Sequence, residues 1–255
     1  MQAIAITPDL ARALRRAARV AVLTGAGISA ESGVPTFRDA QTGLWAKFDP
    51  RELATPTAFA RNPKLVWDWY ASRRAALAHI VPNAGHRALA RMDDLVPDFL
   101  LATQNVDGLH ASAGSRRLVE LHGNIARVKC SREHRVVAAW APPDDDLPPH
   151  CPHCGAYLRP DVVWFEETLP DDALGRAENA ARRAELMLVV GTSAEVWPAA
   201  GLAHAAKSAG ARLVEVNPEA TPLSGLADDV LRAPSGIALP ALVAAAWPDA
   251  PHVTG

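Results

Sequence analysis

One segment near the amino terminus carries most of the information about the architecture: Val20-Ala21-Val22-Leu23-Thr24, followed by Gly25-Ala26-Gly27-Ile28-Ser29. The first half is a mostly apolar run, which is typical of a strand buried on both faces of a parallel sheet. The glycines that follow permit a tight turn and a close approach of backbone N–H groups to a pyrophosphate. The segment therefore predicts a strand that ends in a phosphate-binding loop. A purely structural strand–helix turn is the simpler alternative.

Similar apolar runs recur along the chain and alternate with helical patterns. The predicted strands are residues 20–24, 99–103, 186–191, 212–216 and 230–232. The predicted helices are residues 8–18, 64–79, 85–94, 171–184, 198–209 and 237–246. This alternation predicts an α/β fold with a doubly wound, Rossmann-like parallel sheet. Ligands of such sheets bind outside the carboxyl ends of the strands.

Two long stretches interrupt the alternation. Residues 36–95 separate the first two strands and hold at least two helices, and residues 124–165 carry the cysteines and a proline-rich turn region. We expect both to form a smaller inserted lobe, with a helical module and cofactor loop at 36–95 and a zinc-ribbon-like module at 124–165. The Rossmann-like domain then comprises residues 1–35, 96–123 and 166–255.

The composition excludes several classes of protein. The chain has 255 residues with 26 basic and 28 acidic side chains, and this net charge of −2 argues against a nucleic-acid binder. It has no run of about 18 apolar residues, so no membrane segment is expected, and its three cysteines are too few for a disulfide scaffold. The arginine-rich start resembles a transit peptide, but its helical pattern leads directly into the first strand. We therefore expect a cytoplasmic protein that is monomeric or weakly associated.

The glycine spacing differs from that of dehydrogenases. Gly33 follows Gly27 by six residues rather than three, and Glu52 falls in an apparent loop instead of ending a second strand. Other motifs follow in order, namely Val34-Pro35-Thr36-Phe37-Arg38-Asp39, Thr103-Gln104-Asn105-Val106-Asp107-Gly108-Leu109-His110, Leu121-His122-Gly123 and Gly191-Thr192-Ser193. With these motifs, over residues 17–240, the chain resembles the sirtuin family of NAD-dependent protein-lysine deacylases.

The resemblance implies NAD as a co-substrate and acylated-lysine proteins or peptides as partners. His122 would be the general base, a task suited to a side chain with an ordinary pKa near 6.5, and Asn105 and Asp107 would act beside it on the ribose and nicotinamide. Asp107 has an alternative role as a helix N-cap. Phe37 would shield the sugar and Arg38 would contact phosphate. The implied cofactor-binding residues are Gly25, Ala26, Gly27, Ile28, Glu31, Thr36, Phe37, Arg38, Gln104, Asn105, Asp107, Gly191, Thr192, Ser193, Asn217, Glu219 and Ser235.

A helical pattern suggests the substrate. Tyr70 and Arg73 lie three residues apart on one helix face and resemble the Tyr-x-x-Arg pair of sirtuins that prefer succinyl-, malonyl- or glutaryl-lysine. A phenol and a guanidinium can bind a distal carboxylate together, although Arg74 competes with Arg73 for this role. Ala54 matches the small residue of that class, and acetyl groups are expected as poorer substrates. The peptide is expected to add as a strand along Val163, Trp164 and Phe165, where Phe165-Glu166-Glu167 replaces the usual Phe-Gly-Glu.

The cysteines resemble the structural zinc site of the same family, which has two Cys-x-x-Cys pairs. Here Cys151 and Cys154 form one pair, but Cys130 is followed by Glu133 at the second position of the other. Since structural zinc sites are four-coordinate, a fourth ligand is needed. His134 is the preferred candidate and Glu133 the second. An unmetallated lobe with reduced cysteines is the alternative.

Three other functions remain compatible with parts of the pattern. An NAD glycohydrolase or an ADP-ribosyltransferase would use the same scaffold, but neither needs the acyl pocket. A non-catalytic NAD-binding module would not need His122, Asn105 and Asp107 together. The order of the motifs therefore favours NAD-dependent removal of acyl groups from lysine, giving nicotinamide, O-acyl-ADP-ribose and free lysine.

Overall fold

Helices and strands alternate along the computed structural model, which describes residues 4–35, 53–140 and 147–249. The helices are α1 (Pro8–Arg16), α2 (Gly27–Ala30), α3 (Pro56–Arg61), α4 (Pro63–Leu77), α5 (Ala84–Leu95), α6 (Leu109–Ser112), α7 (Asp171–Arg183), α8 (Gly201–Ser208) and α9 (Ser235–Ala246). The strands are β1 (Arg19–Thr24), β2 (Asp98–Thr103), β3 (Leu118–Glu120), β4 (Gly123–Cys130), β5 (Leu158–Val162), β6 (Leu186–Val190), β7 (Arg212–Val216) and β8 (Asp229–Leu231).

Six strands form one parallel sheet in the order β3-β2-β1-β6-β7-β8. The chain runs outward from β1 in one direction and from β6 in the other, so the order reverses between these two strands. Such a reversal opens a crevice at the carboxyl ends of the strands. The doubly wound α/β prediction is confirmed, and β3 is a sixth strand that the sequence did not predict.

Each face of this sheet is covered by helices. Along β1, Val20 and Val22 contribute to one hydrophobic cluster, whereas Ala21 and Leu23 contribute to the other. This split follows from the two-residue period of a strand. Residues of α1, α5 and α9 complete the first cluster, and residues of α7 and α8 complete the second.

The sequence placed α5 in the inserted helical module, and the structure corrects this. Leu89 and Met92 of α5 are fully buried in the core on one face of the large sheet. This helix is thus the crossover that returns the chain from the inserted residues to β2. The helices that remain with the inserted lobe among the described residues are α3 and α4.

A smaller lobe combines α3 and α4 with the antiparallel pair β4–β5. Its core is mainly aromatic, with Phe59, Trp69, Tyr70 and Trp164 in one cluster. A neighbouring cluster surrounds the cysteines. None of the helices in the described ranges is both long and apolar enough to span a membrane.

Candidate active site at the carboxyl edge of the sheet

Two glycine turns interlock where β1 and β6 end. The N–H of Gly27 donates to the carbonyl of Gly191 over 2.8 Å, and a Cβ on Gly27 would lie 2.8 Å from the Cα of Gly191. Gly191 itself has a left-handed φ of 58°, which glycine adopts without strain. This close approach keeps the floor of the crevice free of side chains. The Ile28 side chain lies in the core with no exposure, so only its backbone can face a cofactor.

His122 lies at the turn between β3 and β4, where a backbone carbonyl fixes which ring nitrogen carries the proton. Its Nδ1 is 2.8 Å from the carbonyl oxygen of Gln104. Because a carbonyl only accepts, Nδ1 carries the proton and Nε2 keeps the lone pair that a general base needs. Burial lowers the pKa of His122 below its ordinary value, partly opposed by the Gln104 carbonyl. The ring is therefore neutral at neutral pH.

Asn105 and Asp107 meet through a hydroxyl that the sequence analysis did not assign. The amide Nδ2 of Asn105 donates to Ser29 Oγ over 3.1 Å, and Ser29 Oγ donates to Asp107 Oδ2 over 2.7 Å. Asp107 Oδ1 also accepts from the N–H of Leu109 at the start of α6 over 2.9 Å. Gly108 is the N-cap residue of α6, so Asp107 contacts the helix start from the position before the cap and does not take the N-cap role. Burial raises the pKa of Asp107 above its ordinary value, while these two donors oppose the shift.

Two buried histidines, also missed, lie behind Ser29. The N–H of Asn83 donates to His86 Nδ1 over 3.3 Å, so His86 presents an Nε2–H to Ser29 Oγ at 3.3 Å. His110 Nε2 lies 2.9 Å from Thr24 Oγ1, and the two rings are 4.8 Å apart. Burial lowers the pKa of His86 to about 4 and that of His110 to about 3. Both rings are neutral, so they supply oriented hydrogen bonds to the crevice rather than charge.

The far half of the crevice gathers other predicted cofactor residues. Gln104 Nε2 donates to Thr192 Oγ1, and Asn217 Nδ2 donates to the Thr192 carbonyl, each over 3.0 Å. Glu31 accepts from Ser235 Oγ over 3.1 Å, which links the glycine-rich turn to α9. The structure therefore brings these predicted residues to the same edge. Thr36, Phe37 and Arg38 lie outside the described residues.

The predicted acyl-binding residues lie on α4 in the small lobe. Tyr70 is 6% exposed, and its hydroxyl oxygen accepts from Trp164 Nε1 over 3.0 Å, which leaves the phenolic proton available to donate. The Arg73 guanidinium packs 5.0 Å from the centre of the Trp69 ring. Burial lowers the pKa of Arg73, an effect that the nearby Tyr70 opposes. In the described part of the chain, no carboxylate forms an ion pair with Arg73.

Arg74, the competing arginine, points elsewhere. Its guanidinium packs 4.8 Å from the centre of the Trp67 ring and approaches the carbonyl of Ile125. Trp67 belongs to the cluster around the cysteines rather than to the one that contains Tyr70. The structure therefore associates Arg73, and not Arg74, with Tyr70.

The segment after β5 connects the acyl region with His122. The N–H of Val163 donates to the His122 carbonyl, and the N–H of Phe165 donates to the Ala54 carbonyl, each over 2.9 Å. A buried ion pair supports this segment, because Arg159 contacts Glu167 over 2.6 Å and Glu167 accepts from the N–H of Trp164 over 2.9 Å. The sequence analysis did not identify Arg159, since no local pattern distinguishes a buried arginine from a solvated one.

Three cysteines and one carboxylate converge in the small lobe. Ligand atoms of Cys130, Glu133, Cys151 and Cys154 all lie within 4.8 Å of one another, with 3.4 Å between the sulfurs of Cys130 and Cys154. His134 is not part of this cluster, so the geometry favours Glu133, the second candidate, as the fourth ligand. The N–H of Glu133 donates to the Cys130 sulfur over 3.4 Å, which folds residue 133 back over the cysteine. Three sulfurs and one oxygen supply the four ligands of a structural zinc ion.

The fold and the edge residues define an α/β protein of the nucleotide-binding class, with polar side chains and a neutral histidine gathered at the carboxyl edge of a parallel sheet. Residues 25–198 match the model of the Sir2 family. The chain belongs to the Sir2 family, which confirms the resemblance found in its motifs.

Similar relatives and similar solved structures cover almost the whole length of this chain. An NAD-dependent protein deacylase of Ralstonia nicotianae is 51% identical over 245 residues, covering 94% of this chain and 97% of the relative. One of Thermus thermophilus is 54% identical over 235 residues, covering 89% and 90%. A Sir2 homologue solved as an NAD complex superimposes with a TM-score of 0.88 at 42% identity, covering 95% and 94%. A Sir2–p53 peptide–NAD⁺ structure reaches 0.77 at 30% identity, covering 89% and 93%.

Proposed function

We propose that the protein removes acyl groups from protein lysines in an NAD-dependent reaction and prefers acyl groups that end in a carboxylate, such as succinyl and malonyl. The products would be nicotinamide, O-acyl-ADP-ribose and free lysine. The relatives' deacylase names and the NAD complex of a homologue support the reaction class. One observation carries the acyl preference: the largely buried Arg73 guanidinium lies beside Tyr70 with no carboxylate paired to it in the described ranges.

The acyl preference follows from the cost of burying a charge. A guanidinium removed from water is costly unless an anion or hydrogen-bond acceptors compensate it. Tyr70 offers a neutral hydroxyl, whose oxygen already accepts from Trp164. A carboxylate at the end of the acyl chain would accept from both Arg73 and the phenolic proton, which is a charge-assisted arrangement. Acetyl-lysine has no such group and would leave Arg73 uncompensated.

The chemical step would use the edge of the large sheet. We propose that His122 Nε2 accepts a proton from a ribose hydroxyl of NAD, because its Nδ1 proton is held by the Gln104 carbonyl. Asn105 and Asp107, joined through Ser29, would hold the nicotinamide side of the substrate. Gly25, Gly27 and Gly191 would form the floor beneath the cofactor, Thr192 and Asn217 would contact its far end, and Phe37 would exclude water from the sugar.

The peptide and the metal would occupy the small lobe. We propose that the acyl-lysine peptide adds as a strand along Val163, Trp164 and Phe165, where Arg159 and Glu167 hold the backbone. The peptide would donate to carbonyls of this segment, because the three N–H groups already donate within the protein. Zinc, bound by the three cysteines and Glu133, would have a structural role, because it would fix the end of β4 to the turn at Cys151–Cys154. A cytoplasmic location and a monomeric or weakly associated state stay predictions from the sequence.

One peptide carrying different acyl groups tests the proposal. Succinyl-, malonyl- and acetyl-lysine versions are compared with a butyryl-lysine version, which has the length of succinyl without its charge. We expect the highest kcat/KM for the carboxylate-bearing groups. Arg73→Met should lower succinyl activity about 10- to 150-fold, the equivalent of a hydrogen bond to a charged group, and should change acetyl activity much less.

Arg74→Met is the matched control, since it removes a neighbouring guanidinium from the same helix. Equal losses for succinyl and acetyl peptides in Arg73→Met would contradict the carboxylate role. Mass spectrometry of the products decides the reaction class: acyl-ADP-ribose supports deacylation, whereas free ADP-ribose with intact acyl-peptide supports a glycohydrolase.

A further inference from the structure

We propose, on the basis of the deacylase function proposed above, that Glu166 selects peptides with a basic residue beside the acylated lysine. Glu166 has a left-handed φ of 73°, at a position where the family pattern has glycine. A non-glycine residue in this region of the backbone is uncommon and strained, and such outliers concentrate at functional sites. The exposed side chain follows Phe165, which is 42% exposed.

The Glu166 carboxylate is oriented without being neutralised. Thr57 Oγ1, near the start of α3, donates to Glu166 Oε2 over 3.2 Å. A hydroxyl fixes the direction of the carboxylate but leaves its negative charge intact. Within the described ranges, no lysine, arginine or histidine forms an ion pair with Glu166.

The adjacent Glu167 differs from Glu166, because an arginine neutralises its charge. Glu167 forms a bidentate contact with Arg159, with N–O distances of 2.6 and 2.8 Å. Its charge is compensated, and it supports the backbone. Glu166 is therefore the residue in this turn whose charge remains available to a bound molecule.

A peptide along the proposed strand would pass this carboxylate. Val163 packs against the large hydrophobic cluster to which Ala194 and Ala199 also belong, and in the proposal the turn after β5 and the segment after β6 are the two walls of the peptide site. Val196 and Trp197 on the second wall are 47% and 66% exposed. An extended chain held by backbone bonds between these walls would place the side chains that flank the acyl-lysine next to Phe165 and Glu166. A lysine or arginine there would find an uncompensated carboxylate.

The effect on specificity should be modest and sensitive to salt. Exposed ion pairs of this type change binding about two- to fivefold. Salt screens them over about 8–10 Å at physiological strength. The preference should appear for any acyl group, because Glu166 would contact the flanking residue rather than the acyl chain.

The test uses the full-length protein and peptides that differ only at the residues before and after the acyl-lysine, with Lys, Gln or Glu at each. The ratio of kcat/KM for Lys over Gln is measured with succinyl- and acetyl-lysine, at low and high salt. We expect a two- to fivefold ratio on at least one side of the lysine, a ratio below one for Glu over Gln on that side, and a smaller preference in high salt.

Variants separate charge from geometry. Glu166→Gln keeps an acceptor for Thr57 and removes the charge, so the Lys-over-Gln ratio should fall to about one. Glu166→Asn also removes the charge, and because asparagine tolerates the left-handed region its melting temperature should not fall. Glu178→Gln, at an exposed position on α7, is the control and should keep the wild-type ratio.

Either of two results would overturn the role of Glu166: a wild-type enzyme indifferent to the flanking charge, or a Glu166→Gln enzyme that keeps the preference. A changed melting temperature with an unchanged ratio would make the residue purely structural. Uniform deacylation of all peptides would overturn only this inference. Failure to deacylate any of them would overturn the proposed function as well.

Discussion

The large sheet and the small lobe are held together by different means. Aliphatic side chains from alternate positions of the strands fill both faces of the large sheet, and its polar groups gather at the carboxyl ends of the strands. The small lobe instead depends on an aromatic cluster, the buried Arg159–Glu167 pair and a cysteine cluster. Under the proposed function this contrast would be a division of labour: the regular sheet would position the chemistry, and the irregular lobe would select the substrate.

The largest expected effect concerns the chemistry of the large sheet. His122→Ala should lower kcat about 10²- to 10⁴-fold, the usual contribution of a general base. Succinyl- and acetyl-peptides should lose activity alike, because the base does not contact the acyl chain. Turnover assays with both peptides, together with calorimetric NAD binding, check this.

His79→Ala, which changes an exposed histidine after α4, serves as the control for His122→Ala. Near-normal turnover by the His122 variant would refute its role as the base. A loss confined to one acyl group would refute the division of labour between the two regions.

The second prediction compares an ion pair from each region. Arg159 is 2% exposed, so Arg159→Met leaves the Glu167 carboxylate without its buried partner and should cost about 3–5 kcal/mol of stability. The Lys207–Asp228 pair of the large domain lies at the surface, and Lys207→Met should cost less than about 1 kcal/mol. Denaturant unfolding measures both variants, and similar costs would mean that the small lobe does not depend on its ion pair.

The third prediction concerns the metal in the small lobe. Glu133→Ala should weaken zinc retention about tenfold or more, since even changes outside the ligand set cost 10- to 100-fold. Glu133→Cys should strengthen it, because thiolate is the softer ligand and restores a Cys-x-x-Cys pair. The rate of zinc transfer to a chromophoric chelator is the measurement. His134→Ala is the control, and a loss of zinc in this variant with none in Glu133→Ala would reverse the ligand assignment.

The smallest effect distinguishes the histidines of the two regions. His86 and His110 of the large domain are buried with pKa values of about 4 and about 3, whereas His134, His150 and His153 of the small lobe are exposed. In the unfolded chain these two buried histidines would bind protons near pH 6.5, whereas in the folded large domain they stay unprotonated at that pH. Stability should therefore fall with decreasing pH, by roughly 1 kcal/mol per buried histidine between pH 6.5 and 5.5.

Unfolding curves across this pH range check the sign and the size of the effect. His86→Gln should reduce the slope of the free energy of unfolding against pH by the contribution of one histidine. This reduction is expected even if the variant changes the stability at neutral pH. His153→Gln, at an exposed position of the small lobe, is the control. A slope unaffected by His86→Gln would show that the buried ring is already protonated in the folded state.

The sequence predicted the regular parts well for a physical reason. Strands buried on both faces appear as continuous apolar runs, and five of the six strands of the large sheet were found in this way. The strand β3 was missed because three residues, only one of them buried, leave no such run. The helix α3 was missed because its six residues, of which Phe59 is the buried one, are too few to show a helical apolar pattern.

The site was predictable only where it follows strand ends. His122, Asn105 and Asp107 stand in motifs at such ends, but Ser29, His86 and His110 join them through contacts 57–86 residues apart in the chain. No local pattern records contacts of that range. The choice of Glu133 over His134 also depended on the backbone, which turns residue 133 back onto Cys130.

The amino-acid sequence by itself determined the α/β sheet, the position of the nucleotide crevice and the family, because apolar periodicity and short motifs are local properties of the chain. Only the tertiary structure showed that Arg74 packs on Trp67 and away from Tyr70, that Glu133 completes the cysteine cluster, and that Arg159 supports the segment after β5. Each of these contacts depends on how the chain packs in the folded lobe, which no local sequence pattern records.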